Sequence, residues 1–204
     1  MPASLRAFIA AELPGDLAAA LGRLQAELAA AGVRARWVRP ESIHLTLKFL
    51  GRLPVEGVAR VAEALAAAVE GQPPFGLTVG GPGVFPGLRR PRVVWLGLGG
   101  ETEALTGLQQ RVDRNLAARG FAPEARPFRA HLTLGRFDDT GSPGPVADVL
   151  AACAGREAGR FDVRELVLFK SDLRPTGAVY NALVRAGLSA ARSASDGPGG
   201  GRQG

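Results

Sequence analysis

The chain contains two histidines, and both stand in the same four-residue phrase: His44-Leu45-Thr46-Leu47 and His131-Leu132-Thr133-Leu134. The copies lie 87 positions apart, from 44 to 131. Chance recurrence of such a phrase is expected on the order of once in a thousand sequences, so the spacing suggests two halves of a duplicated unit. Strand residues alternate faces. In the first copy Ile43, Leu45, Leu47 and Phe49 should fall on one side and His44, Thr46 and Lys48 on the other; in the second, Leu132 and Leu134 oppose His131 and Thr133. Imidazole gives or takes a proton near neutral pH, and a threonine hydroxyl can hydrogen-bond an anionic oxygen. Two such strands facing each other would form a cleft with two proton-transfer groups and two hydroxyl donors.

A metal centre is the rival chemistry. Two histidines are too few ligands, and the single cysteine, Cys153 in an Ala-rich stretch, is a poor third, so no metal and no cofactor are expected. Arg136 follows His131 by five residues, out of phase for a regular strand, and Gly135 offers a bulge or strand end that would turn it inward. Lys48 is in phase with His44 and Thr46.

The paired His-x-Thr-x phrases resemble the two-histidine phosphoesterase superfamily, and their flanks resemble its RNA 2′,3′-cyclic phosphodiesterase branch, historically called 2′-5′ RNA ligases. The matching stretches are Arg6–Pro14 (RAFIAAELP), Ser42–Gly51 (SIHLTLKFLG), Pro91–Leu98 (PRVVWLGL), Arg126–Arg136 (RPFRAHLTLGR) and Leu166–Tyr180 (LVLFKSDLRPTGAVY). Ala130 departs from the pattern, which has proline before the second histidine. The resemblance implies metal-independent hydrolysis of RNA 2′,3′-cyclic phosphate ends to 2′-phosphate. It implies His44 as proton donor and His131 as proton acceptor, and it places a basic residue at Arg136. Thr46, Thr133, Arg136 and Lys48 are the expected substrate-binding residues. Three alternatives stay open: another small cyclic phosphate, 2′-5′ RNA ligation, and non-catalytic RNA-end binding. Intact histidines in both motifs argue against the last.

The elements that must position these residues follow from periodicity. Leu5–Leu13 reads as a strand. A helix opens at Pro14 and Asp16, with Leu17, Leu21, Leu24 and Leu28 inward, and Gly32 stops it. Trp37 and Val38 lead into the first motif strand. A second helix is expected from Pro54 to Val69, with Val58, Val61, Leu65 and Val69 as its stripe. Phe75–Val79 reads as a strand, 80–92 as a loop dense in Gly, Pro and Arg, and Val93–Leu98 as a strand. A third helix covers Glu101–Arg119, with Leu105, Leu108, Val112 and Leu116 inward. Phe128–Phe137 carries the second motif, Asp138–Pro145 is a polar loop, and Val146–Ala154 a short helix. Phe161–Leu173 and Ala178–Leu188 read as a strand pair around a turn. The expected fold is α+β: two pseudo-symmetric lobes of antiparallel sheet with outer helices, the motifs lining a central cleft. Residues 1–188 are expected to form one bilobal domain and 189–204 a disordered Gly/Ser/Ala-rich tail.

Bulk composition sets the remaining bounds. A chain of 204 residues, 46% hydrophobic and 22% charged, has the balance of a globular protein. Its net charge of +6 is carried mostly by arginine, with Lys48 and Lys170 the only lysines, and suits a polyanion such as RNA. Arg89, Arg90 and Arg92 could steer RNA, and Tyr180 could stack a base. One cysteine forms no internal disulfide. The run from Ala7 to Ala11 is too short for a signal peptide, and no stretch reaches the roughly 20 apolar residues of a membrane span. A cytoplasmic protein with no membrane contact and no obligate protein partner is expected.

Overall fold

The structure is a computed structural model, and it describes residues 3–138, 144–174 and 177–190. Most of the 189–204 tail and part of the Asp138–Pro145 loop lie outside the described residues.

In chain order the elements are β1 (Ser4–Glu12), α1 (Gly15–Ala30), β2 (Arg36–Trp37), a single 3₁₀ turn (Pro40–Ser42), β3 (His44–Pro54), α2 (Gly57–Val69), β4 (Phe75–Phe85), β5 (Val93–Gly100), α3 (Thr102–Ala117), β6 (Leu132–Arg136), α4 (Val146–Ala152), β7 (Glu157–Val163), β8 (Glu165–Arg174) and β9 (Gly177–Gly187). The strands form one antiparallel sheet ordered β7-β4-β5-β6-β3-β1-β8-β9, with β2 paired to β6. The order is two-fold about its middle. The lobe β3-β1-β8-β9 mirrors the lobe β6-β5-β4-β7, and the motif strands β3 and β6 join them through one residue pair, Leu45 with Leu132. Each half supplies its own first strand, helix, motif strand and second helix, and a later strand of each half joins the other lobe. After α2 the chain enters β4 beside β5; after α4 it passes through β7 and enters β8 beside β1.

Helices cover one face of the sheet. Leu17, Leu21, Leu24 and Leu28 of α1 are buried, as are Leu105, Leu108, Val112 and Leu116 of α3. Ala7, Ile9 and Ala11 of β1 join these helices in the main core, while Phe8 and Ala10 form a second cluster on the other face with Val167 and Phe169. β1 is therefore buried on both sides.

Three element readings are corrected. Residues 80–85 are strand rather than loop, because the glycines there permit close packing instead of a turn. Gly83 pairs with Trp95, whose indole fills the space that a Cβ at 83 would need. Gly81, with φ +59°, absorbs the register shift between Gly80 and Pro82. Next, Pro54 ends β3 instead of opening α2, since β1 starts at Ser4 and pairs along its whole length, out to Ser4 with Pro54. Finally, Phe161–Leu173 is two strands. Arg164 separates β7, at one edge of the sheet, from β8, near the other. A single intervening residue spans only about 8 Å, so the sheet curls until its two ends approach.

Candidate active site

The two motifs meet at the lobe junction. With Leu45 opposite Leu132, the antiparallel register sets His44 across from Thr133 and Thr46 across from His131. All four side chains line one cleft of about 420 Å³ on the face opposite the helices.

Both imidazoles are held in the same way. His44 Nδ1 lies 2.8 Å from the Ser42 carbonyl, and His131 Nδ1 lies 2.7 Å from the Arg129 carbonyl. A carbonyl only accepts, so each Nδ1 carries the proton and donates it. This fixes the tautomer and leaves each Nε2 for proton exchange. The rings are also walled alike, each by a stacked aromatic pair from the next two strands of its lobe. Phe8 on β1 stacks on Phe169 of β8 and on His44, at centroid distances of 5.3 and 4.7 Å. Trp95 on β5 stacks on Phe85 of β4 at 4.9 Å, and Phe85 meets His131 edge-on at 5.1 Å. The symmetry breaks at Tyr180 on β9, which meets His44 edge-on at 5.2 Å. His44 is the more deeply enclosed. Burial pushes its pKa below the ordinary imidazole range, the Ser42 carbonyl opposes that shift, and the neighbouring His131 adds to it.

A bulge follows each motif at the same place. Ile9 pairs with Lys48 and Ala10 with Thr46, so Leu47 is skipped; Val94 pairs with Gly135 and Trp95 with Thr133, so Leu134 is skipped. An extra residue inverts the alternation beyond it. Four positions after each histidine the chain now faces the helices, and five positions after it faces the cleft.

This sorts the two expected cations in opposite ways. Arg136 lines the cleft, turned there by the bulge. Lys48 does not, and this expectation is corrected. Lys48 is 4% exposed, with Nζ 2.5 Å from Asp113 Oδ1 on α3 and 3.0 Å from the Ala122 carbonyl. Phe49 takes the cleft position in the first lobe and is 62% exposed, where Arg136 stands in the second. The aromatic walls are not legible in the sequence, although Phe8, Trp95 and Phe169 lie within stretches that carry the resemblance. Their signal is a cross-strand contact, which periodicity within one segment does not contain.

The LigT-like phosphoesterase profile matches residues 12–95 and again 98–180, one histidine motif in each match. The chain belongs to this family. An RNA 2′,3′-cyclic phosphodiesterase of Methanothermobacter thermautotrophicus is 34% identical over 176 residues, covering 86% of this chain and 95% of that one. A protein of the same name from Archaeoglobus fulgidus is 35% identical over 180 residues, covering 88% and 98%. A crystal structure of E. coli LigT complexed with 3′-AMP superimposes with a TM-score of 0.71 at 28% identity, covering 92% of this chain and 99% of that one. The protein is thus a phosphoesterase with the α+β, two-lobed fold of LigT. Among the described residues, no three His, Cys, Asp or Glu side chains gather as a metal site requires, and no helix is long and apolar enough to cross a membrane.

Proposed function

We propose that the chain hydrolyses 2′,3′-cyclic phosphate ends of RNA to 2′-phosphates without a metal, by two-histidine acid–base catalysis. The observation that carries this is the pair of imidazoles, each donating Nδ1–H to a carbonyl two residues back and each opening onto the same cleft. The activity for which the two relatives are named supports the substrate class. A water attacks phosphorus as His131 takes its proton. The P–O3′ bond breaks, and His44 gives its proton to the departing ribose oxygen. Thr46, Thr133 and Arg136 hold the phosphoryl oxygens, whose charge grows in the transition state. The cyclic diester is an anion, and its arrival beside His44 raises the affinity of that ring for a proton, which supplies the donor.

A second reading rests on one observation. Phe8 and Tyr180 enclose His44, this burial disfavours its charged form, and a neutral imidazole is the form of a base. Reversed roles follow if substrate does not recharge the ring. One assay distinguishes the two readings, because an acid matters only when the leaving oxygen is poor. His44→Ala and His131→Ala are each assayed, in EDTA, on a dinucleotide 2′,3′-cyclic phosphate and on a nitrophenyl phosphodiester. His44→Ala should fail on the first and largely recover on the second, while His131→Ala should fail on both, compared by kcat/KM. Rescue of His131→Ala alone reverses the assignment. Wild-type activity abolished by EDTA and restored by added metal sinks the metal-free reading.

A further inference from the structure

The second lobe ends beside the cleft in a charged hairpin to which the proposed chemistry gives no role. Residues 86–92, Pro-Gly-Leu-Arg-Arg-Pro-Arg, link β4 to β5. Their base is clamped. The Arg92 amide donates to the Phe85 carbonyl at 2.7 Å, and the Phe137 amide to the Arg92 carbonyl at 3.0 Å. The strands flanking the loop supply Phe85 and Val93 to the cleft wall, and Val93 pairs with Arg136. From that base the loop runs outward. Arg89 and Arg90 are exposed, and neither forms an ion pair with any described residue. Leu88, 58% exposed, sits beside them. Arg129 adds a further exposed guanidinium, 6.0 Å from the Phe85 ring centroid. The surrounding sequence carries no opposing charge: no acidic residue occurs between Glu70 and Glu101.

The other end of the cleft is unlike this. Past His44 the surface opens into a hollow of about 470 Å³ lined by Glu12 and Glu41 together with Arg39, and Arg185 is already paired to Glu12 and Glu165. Asp138, which follows Phe137 at the base of the loop, is paired with Arg36, so among the described residues a polyanion held at Arg136 meets exposed arginines without ion-pair partners in one direction and mixed charge in the other.

We propose that the β4–β5 hairpin, through Arg89 and Arg90 with Arg129, is a docking track for the sugar–phosphate backbone of RNA upstream of its terminal cyclic phosphate. The track makes this chain selective for oligonucleotides over mononucleotides. The proposal rests on the cyclic phosphodiesterase reading. Arginines that touch only backbone phosphates supply affinity without base preference and make it depend on salt.

The test compares a mononucleotide 2′,3′-cyclic phosphate with a single-stranded RNA hexamer bearing the same end, across a salt series, for the wild type, Arg89→Ala/Arg90→Ala, and two controls: Arg160→Ala/Arg164→Ala on β7 and the residue that follows it, and Arg52→Ala on β3. Wild-type kcat/KM should be higher on the hexamer and fall with salt. The hairpin variant should lose about ten-fold on the hexamer alone, and its log–log salt slope should flatten by roughly 1.4, at about 0.7 for each phosphate no longer neutralised. Both controls should match the wild type. Equal wild-type rates on the two substrates, an equal loss on both in the hairpin variant, or a hexamer-specific loss in Arg52→Ala instead would each overturn the track. If the wild type turns over neither substrate, the cyclic phosphodiesterase reading is what fails. The track is then judged by fluorescence anisotropy of a 3′-hydroxyl RNA hexamer. Weaker binding by the hairpin variant supports it, and unchanged binding rejects it.

Discussion

A duplicated motif gives two chemically identical side chains, yet the proposed acid–base catalysis asks them to differ. Their surroundings differ at Tyr180, which has no counterpart beside His131, and at Phe49, which stands where the second lobe has Arg136. Phe8–Phe169 and Phe85–Trp95 are matching walls, but only His44 has a tyrosine against its edge. Burial then lowers the pKa of His44, and this has a consequence for stability. Below the ordinary imidazole pKa of 6.5 the unfolded chain takes up a proton at His44 that the folded chain resists. Its contribution is therefore fully present above that pH and lost as pH falls toward the depressed folded value. Urea titrations at pH 8 and pH 5 should show a larger loss of stability for the wild type than for His44→Gln. Equal losses would mean that His44 charges freely in the fold. The histidines and threonines are legible in the sequence because repetition marks them. Tyr180 is legible as an aromatic that either packs in the core or stacks a base; it packs against the Phe8–Phe169 cluster, and its place against His44 is not legible because it depends on β9 returning beside β8.

Among the elements, the motif strands show why a regular pattern misleads. Alternation from His44 assigns Lys48 to the cleft and Phe49 to the core, and the bulge at Leu47 exchanges them. No residue type announces that bulge: Leu47 is an ordinary strand residue, and so is its counterpart Leu134. Gly135 does signal a break, which is why the sequence points Arg136 to the cleft correctly and misplaces Lys48. The exchange gives Lys48 a structural task. Its ammonium joins β3 to Asp113 on α3, and Asp113 also accepts the Glu124 amide at 3.1 Å, in the irregular segment that leads to His131. Lys48→Met should cost about 3 kcal/mol, as for a buried pair broken on one side. This is the low end of the roughly 3–5 kcal/mol for such pairs, because Asp113 is 22% exposed. Adding Asp113→Leu should recover much of the loss, by urea denaturation. A kcat defect with unchanged stability would instead return Lys48 to the substrate.

At the scale of the whole molecule, the lobes are not independent. The helix stripes and the repeat are readable from spacing, and they lead to the correct two-lobed architecture. The exchange of strands is not, because Phe161–Leu173 contains no glycine or proline to mark a break, and tertiary pairing cuts it at Arg164. Each lobe contains strands from both halves of the chain, and Gln25 of α1 donates to both the Val38 and Leu134 carbonyls, at 2.7 and 2.8 Å. Unfolding should therefore be a single transition. Trp37 and Trp95 both lie in or against the second lobe, so their fluorescence reports that half, while far-UV circular dichroism reports all of it. The two urea curves should coincide, and a separate fluorescence midpoint would show that the lobes melt apart.

That shared construction bears on how such a site can acquire a direction. A half-length chain of this design would leave its last strand without a lobe of its own. Two copies would complete each other by trading strands, closing the same cleft around a true axis. Their two imidazoles would then be indistinguishable by symmetry, and every productive encounter would have to choose afresh which one holds the proton. Fusing the copies into one polypeptide removes that constraint. A single tyrosine on one side then gives the two imidazoles different surroundings, and under the proposed mechanism the handedness of the proton transfer would be written once in the chain.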